Sequence, residues 1–145
     1  MAIRTAKAQW DGNLQQGRGN MSFGSGAWNG QYSFQSRFEE GTGTNPEELI
    51  GAAHAGCFSM AFANALAKKG FEPKRVSTTA NVHLTKGDAG FSISTVELKT
   101  EADVPGIEPA QFQEIAEEAK KGCPVSKALT GGSAQIKLDA KLAGR

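Results

Sequence analysis

Between Val76 and Leu84 apolar and small residues alternate with polar ones. Val76, Thr78, Ala80, Val82 and Leu84 therefore share one face, the period of two of a half-buried strand. The stretch FSISTVELKT begins in step at Phe91 and Ile93 and then shifts to Val96 and Leu98, which predicts a second strand with a bulge. The loop TKGDAG between them reads as a hairpin. Ile136, Leu138, Ala140 and Leu142 alternate in the last segment and predict a closing strand. The first forty residues also read as strands: Tyr32, Phe34 and Phe38 oppose Gln31, Gln35 and Arg37, and the glycines of GRGN and GSGAWNG mark turns. Neither glycine cluster precedes a helical pattern, so a phosphate-binding loop is not expected.

At Asn45 the pattern changes. Asn45 suits an N-cap, Pro46 the first helical position, and Glu48, three residues after the cap, a capping box. The predicted helix runs to the lysine pair 68–69 and to Gly70, with an interruption expected at Gly51. Its apolar stretch raises the question of a membrane span, since about 20 such residues cross a bilayer. His54, Ser59 and Asn64 interrupt it and Lys68 follows, so it reads as a buried core helix. A second helix is predicted from Pro109 to Lys121, with Phe112, Ile115, Ala116 and Ala119 on one side. GCPVSKAL then breaks and restarts it, leaving Cys123 as the N-cap of a short helix from Pro124 to Leu129.

Sixteen basic and fifteen acidic residues give the 145-residue chain a formal net charge of +1. No run of Lys or Arg marks a nucleic-acid or anionic-membrane surface. The start, MAIRTAKAQW, lacks the apolar core of a secretory signal, so the expected compartment is the cytoplasm. There a permanent structural disulfide is disfavoured, and the two cysteines are buried bystanders, metal ligands or a reactive pair.

Cys123, as an N-cap, would meet free backbone N–H groups and the positive end of a helix dipole, with Lys120 and Lys121 nearby; all three favour a thiolate. Cys57 lies mid-helix and must be activated by side chains that the fold brings in. His54, three residues earlier, is adjacent on the helix surface, and its plainer role is a polar residue satisfied at a helix interface. Arg37 could supply a charge or simply face solvent. Glu47 cannot touch Cys57 on a continuous helix, because ten residues rise about 15 Å. If both serve one site, the helix breaks near Gly51 or a second chain supplies the glutamate. A zinc site from His54, Cys57, Cys123 and His83 would exhaust both residue types at a spacing unlike familiar zinc modules. A Cys-His hydrolase with His54 as base lacks any other mark of a triad.

GTNPEELIGAAHAGCFSMA, AGFSISTVELKTEADVPGI and KKGCPVSKAL, in this order and spacing, resemble the osmotically inducible protein C (OsmC) family, relatives of the organic hydroperoxide resistance proteins. The resemblance covers essentially the whole chain. It implies an α+β fold in which antiparallel sheets wrap around central helices, as one domain over residues 1–145 of an intertwined homodimer with sites at the subunit interface. The implied activity is a cofactor-independent, metal-independent thiol peroxidase that reduces organic hydroperoxides in stress defence. By the same match Cys57 is the peroxidatic thiol, Cys123 the resolving thiol, Arg37 the arginine beside the reactive sulfur and Glu47 its acidic partner. A dihydrolipoyl group or small thiol would return the disulfide to dithiol, and the apolar setting around Cys57, with Phe58 and Met60, would favour apolar peroxide tails. The alternative within the fold is a non-enzymatic stress protein that binds a small ligand or senses redox state.

Overall fold

Ala6–Asp11 (β1), Arg18–Phe23 (β2) and Asn29–Tyr32 (β3) form an antiparallel meander in a computed structural model that describes residues 1–144. Gly19 lies inside β2, opposite Trp10 and Tyr32, and not in the turn that GRGN suggested. A Cβ there would come within 2.4 Å of the Tyr32 ring and 2.7 Å of the Trp10 ring, so the glycine answers to close aromatic packing. The two rings close over it with centroids 5.3 Å apart.

The strand expected through Tyr32, Phe34 and Phe38 ends at Tyr32. Residues 34–38 are a short helix (α1), which places Arg37 on a helix and not on a strand face. Ser33 caps it: the Ser36 amide donates to Ser33 Oγ at 3.1 Å, and the Ser33 amide donates to Ser36 Oγ at 2.8 Å. The alternation misled because a spacing of four fits both periods; Phe34 and Phe38 stack as an i, i+4 pair with centroids 5.0 Å apart.

Pro46–Lys68 is a single helix (α2), unbroken at Gly51. Asn45 Oδ1 accepts from the Glu48 amide at 2.8 Å, as expected of the cap, whereas the Glu48 carboxylate accepts from the Thr44 hydroxyl at 2.8 Å and so does not complete a capping box. Gly51 permits close packing instead of a break: a Cβ there would lie 3.2 Å from Val82 Cγ2. Gly70, with φ +91°, takes the left-handed conformation past the helix end. His54, Phe58, Phe62 and Leu66, spaced by four, are wholly buried along one face of α2. The opposite face is not. Ala53, Gly56, Asn64 and Ala67 are exposed, Met60 is 76% exposed, and only 28% of the helix's most apolar window is buried within the chain. By length and composition α2 is also apolar enough to cross a membrane.

Arg75–Gly87 (β4) and Gly90–Asp103 (β5) pair antiparallel around the two-residue turn Asp88–Ala89. The predicted bulge is present: His83 pairs with Thr95 and Leu84 with Ile93, which leaves Ser94 as the extra residue. Gln135–Leu142 (β6) joins β5 in parallel, so the intervening Pro109–Gly122 (α3) and Pro124–Thr130 (α4) form a crossover. The core lies here, with Phe62 bridging Phe58 at 5.6 Å and Phe112 at 5.3 Å between centroids, and Val96, Leu98, Ile115 and Cys123 buried with them. The chain divides into two compact units, residues up to Leu49 and residues from Ile50 on.

Candidate active site

Cys57 is delivered by the middle of α2 and Cys123 by the junction of α3 and α4. Across 66 residues of sequence their sulfurs stand 3.0 Å apart, both as free thiols. Cys57 is partly exposed and Cys123 is fully buried. Cys123 is the residue between the helices, with extended backbone (φ −61°, ψ 123°), and Pro124 begins α4 as the sequence predicted.

The surroundings of the two sulfurs set the thiols apart, although the Cys123 side chain makes no capping hydrogen bond to α4. Burial pushes Cys123 up, but the neighbouring Cys57, Ser126 and Val125 outweigh it and hold Cys123 below its ordinary value. For Cys57 burial also pushes up, and the bond to Cys123 and the negative charge there push the same way, with only the Val125 amide opposing, so its pKa is raised. Lys120 stands 3.2 Å from Glu117 in an i, i+3 pair.

His54 is buried one turn before Cys57, and its Nε2 lies 2.6 Å from Ser126 Oγ. Burial holds its imidazole below the ordinary value of 6.5. Sequence reasoning singled out His54 only as a neighbour of Cys57 and missed Ser126. The available signal was the position of Ser126 in the first turn of the helix that Cys123 caps. His83 is elsewhere, on the outward face of β4, 2.5 Å from Glu97. Among the described residues no group of three or more His, Cys, Asp and Glu side chains is placed to hold a metal ion, and His83 lies apart from the two thiols.

The second charged constellation lies in the N-terminal unit. Arg37 Nε donates to both oxygens of the Glu47 carboxylate at 3.2 Å, and Nη2 donates to Oε1 at 2.7 Å, a two-pronged pair that fixes the guanidinium plane. Glu47 is buried and Arg37 about one third exposed. The guanidinium lies 5.1 Å from the centroid of the Phe38 ring. It also lines a cleft of about 410 Å³ with Trp10, Leu14, Tyr32 and Phe34. Phe58, expected beside Cys57 as an apolar lining, is instead sealed in the core.

A mixed α and β protein with two three-stranded sheets and a pair of thiols at contact distance defines a class of small thiol redox proteins. A family model described as OsmC-like protein matches residues 39–139, and the chain belongs to that family. The match includes Glu47, Cys57 and Cys123 and begins just past Arg37. The chain is 50% identical over 140 residues to the peroxiredoxin OsmC of Escherichia coli (strain K12), covering 96% of each. It is 37% identical over 92 residues to an organic hydroperoxide resistance protein of Xanthomonas axonopodis pv. citri, 63% of each chain. The crystal structure of the organic hydroperoxide resistance protein OhrB of Bacillus subtilis superposes with a TM-score of 0.72 at 26% identity, covering 94% of this chain and 98% of that one.

Proposed function

We propose that this chain is a thiol-dependent peroxidase for organic hydroperoxides, with Cys57 as the attacking thiol and Cys123 as the resolving thiol. The observation that carries the reading is the sulfur pair: 3.0 Å apart, with one sulfur reachable and the other sealed. Only Cys57 is open to a peroxide, and only Cys123 is close enough to close on the product. Relatives that are a peroxiredoxin and a hydroperoxide resistance protein support the same chemistry.

In the first step the Cys57 thiolate displaces the distal peroxide oxygen. The O–O bond breaks, the sulfur becomes a sulfenic acid, and the alkoxide takes a proton to leave as an alcohol. Cys123 then supplies the electron pair for the S–S bond, and the hydroxyl of the sulfenic acid departs as water. An external thiol reductant restores both thiols; in this reading a dihydrolipoyl group or small thiol, in the cytoplasm.

Ionising Cys57 needs a cation, since its own surroundings favour the thiol. Arg37, held by Glu47, fills that role. Because α2 continues through Gly51, the ten residues from Glu47 to Cys57 rise about 15 Å, and a pair serving Cys57 comes from a second copy of the chain. A homodimer also covers the apolar face of α2 that exposes Met60. The aromatic cleft beside Arg37 suits an apolar peroxide tail.

One equivalent of cumene hydroperoxide, followed by stopped flow and mass spectrometry, tests the reading. Rapid, stoichiometric formation of the Cys57–Cys123 disulfide is expected, stalling at sulfenic acid in Cys123→Ser. Oxidation no faster than that of free cysteine would assign the chain a non-enzymatic ligand-binding or sensing role.

A further inference from the structure

The two-sulfur cycle needs an external thiol to reopen the Cys57–Cys123 disulfide, and the sulfur pair itself does not choose one. A cleft beside the resolving cysteine is built to choose. Lys120 and Lys121, at the end of α3, and Lys127 of α4 line one cavity of about 670 Å³ within the unit that begins at Ile50. Each of the three is within about one helical turn of Cys123 along its own helix. No acidic side chain lines the cleft. Its remaining polar walls are hydroxyls and the Gln135 amide, and Ala134 and Ile136 supply an apolar strip.

Glu117 offsets Lys120 at 3.2 Å, but the Lys121 and Lys127 ammonium groups, both on exposed residues, have no carboxylate partner among the described residues. In a chain with a formal net charge of only +1, this is a local excess of positive charge, complementary to an anion. The cleft has the volume of a small-molecule site, with cations at hand for a charged head and an apolar strip for an aliphatic chain.

We propose that this cleft docks the carboxylate-bearing arm of a small dithiol, so that the reductant of the Cys57–Cys123 disulfide is an anion and not a neutral thiol. This rests on the peroxidase reading. Lys121 and Lys127 pair with the carboxylate, and the aliphatic arm lies along Ala134 and Ile136. The redox step balances. One thiolate of the dithiol attacks the Cys57 sulfur, the partly exposed one; the S–S bond breaks, and Cys123 leaves as a thiolate. The second thiolate then attacks the dithiol's own sulfur in the mixed disulfide and releases Cys57. The dithiol gives up two electrons to become a cyclic disulfide, and its two protons end on Cys57 and Cys123.

The test uses the full-length protein with its disulfide formed by diamide, so that it does not depend on peroxide chemistry. Rapid-quench mass spectrometry follows reduction by two dithiols that differ only at the end far from the sulfurs: dihydrolipoate, whose carboxylate is charged at pH 7, and dihydrolipoamide, which is neutral. At an ionic strength of about 0.02 M dihydrolipoate should react at least about fivefold faster, within the reach of two exposed ion pairs, and at about 0.5 M the advantage should fall below about twofold. Lys121→Gln combined with Lys127→Gln should bring the two rates together. A change in Cys123 as a leaving group alters both rates alike, so their ratio isolates the docking. Equal rates in wild type, an advantage indifferent to salt, or an advantage that survives in the double variant overturns the docking site. The peroxidase reading is judged separately, on the reduced protein and one equivalent of cumene hydroperoxide. Cys57 oxidised no faster than free cysteine overturns that reading, whatever the ratio of the two dithiols.

Discussion

The two units handle charge and burial in opposite ways. Residues from Ile50 on hold every fully buried large apolar side chain of the described chain, and the two sulfurs sit at the edge of that core. Up to Leu49 the buried residues are Gly19, Ser36 and Glu47, none with an apolar side chain of size, while Trp10, Trp28, Tyr32, Phe34 and Phe38 are only half-buried. A three-stranded sheet with so little core is marginal by itself. What it does hold firmly is a guanidinium, gripped by a buried carboxylate. One unit thus offers a sulfur whose surroundings resist ionisation, and the other offers a fixed cation. In the proposed mechanism the two are complementary, and the ten residues of α2 from Glu47 to Cys57 rise about 15 Å, which is the physical case for a second copy.

Cys57→Ser should strain the comparison most. Loss of the attacking atom should lower peroxidase turnover at least a thousandfold, as expected when a nucleophile is removed, in a coupled peroxide-consumption assay. If turnover survives, the sulfur unit does not house the reaction. Phe62→Ala should cost about 3–5 kcal/mol in urea unfolding, since its ring bridges Phe58 and Phe112, whereas Trp28→Ala in the thin unit should cost well under half as much. Comparable losses would mean that the N-terminal sheet shares in a core that the single chain does not reveal.

Arg37→Ala should slow Cys57 oxidation about a hundredfold, and Arg37→Lys should rescue it only in part, because a point charge cannot reproduce the fork on Glu47. Unfolding and refolding Arg37→Ala together with Cys57→Ser sharpens this further. If the arginine acts across a twofold dimer, half of the random dimers gain one complete site, and about a quarter of the wild-type sites return. No recovery would place arginine and sulfur in the same chain.

The smallest expected effect is on stability. Folded His54 has a lowered pKa, so as pH falls through 6.5 the unfolded chain takes up a proton first and stability drops. The contribution is fully present above 6.5 and is lost from there downwards, towards the folded-state pKa. The urea midpoint of wild type should fall between pH 7 and 5.5, and His54→Gln should show a shallower fall; equal slopes would place the imidazole in contact with water.

Much of the local structure was legible because local rules set it. The period of two in β4 and β6, the Asn45 cap, the slip that became the Ser94 bulge and the break at Cys123–Pro124 all depend on residues a few positions apart. Where one spacing fits two periods, as for Phe34 and Phe38, the cap chosen by Ser33 and Ser36 decided in favour of helix. The sequence by itself determined which residues are chemically capable: two thiols, an arginine, a glutamate and a histidine beside the first thiol. Only the tertiary structure decided that β6 lies parallel to β5, that Cys57 and Cys123 meet across 66 residues, and that His54 reaches Ser126 across 72. It also decided that burial and the neighbouring sulfur raise Cys57. Periodicity reports which way a side chain faces along its own element. What it faces depends on contacts closed over long loops, and pKa follows from those contacts through burial and hydrogen bonding.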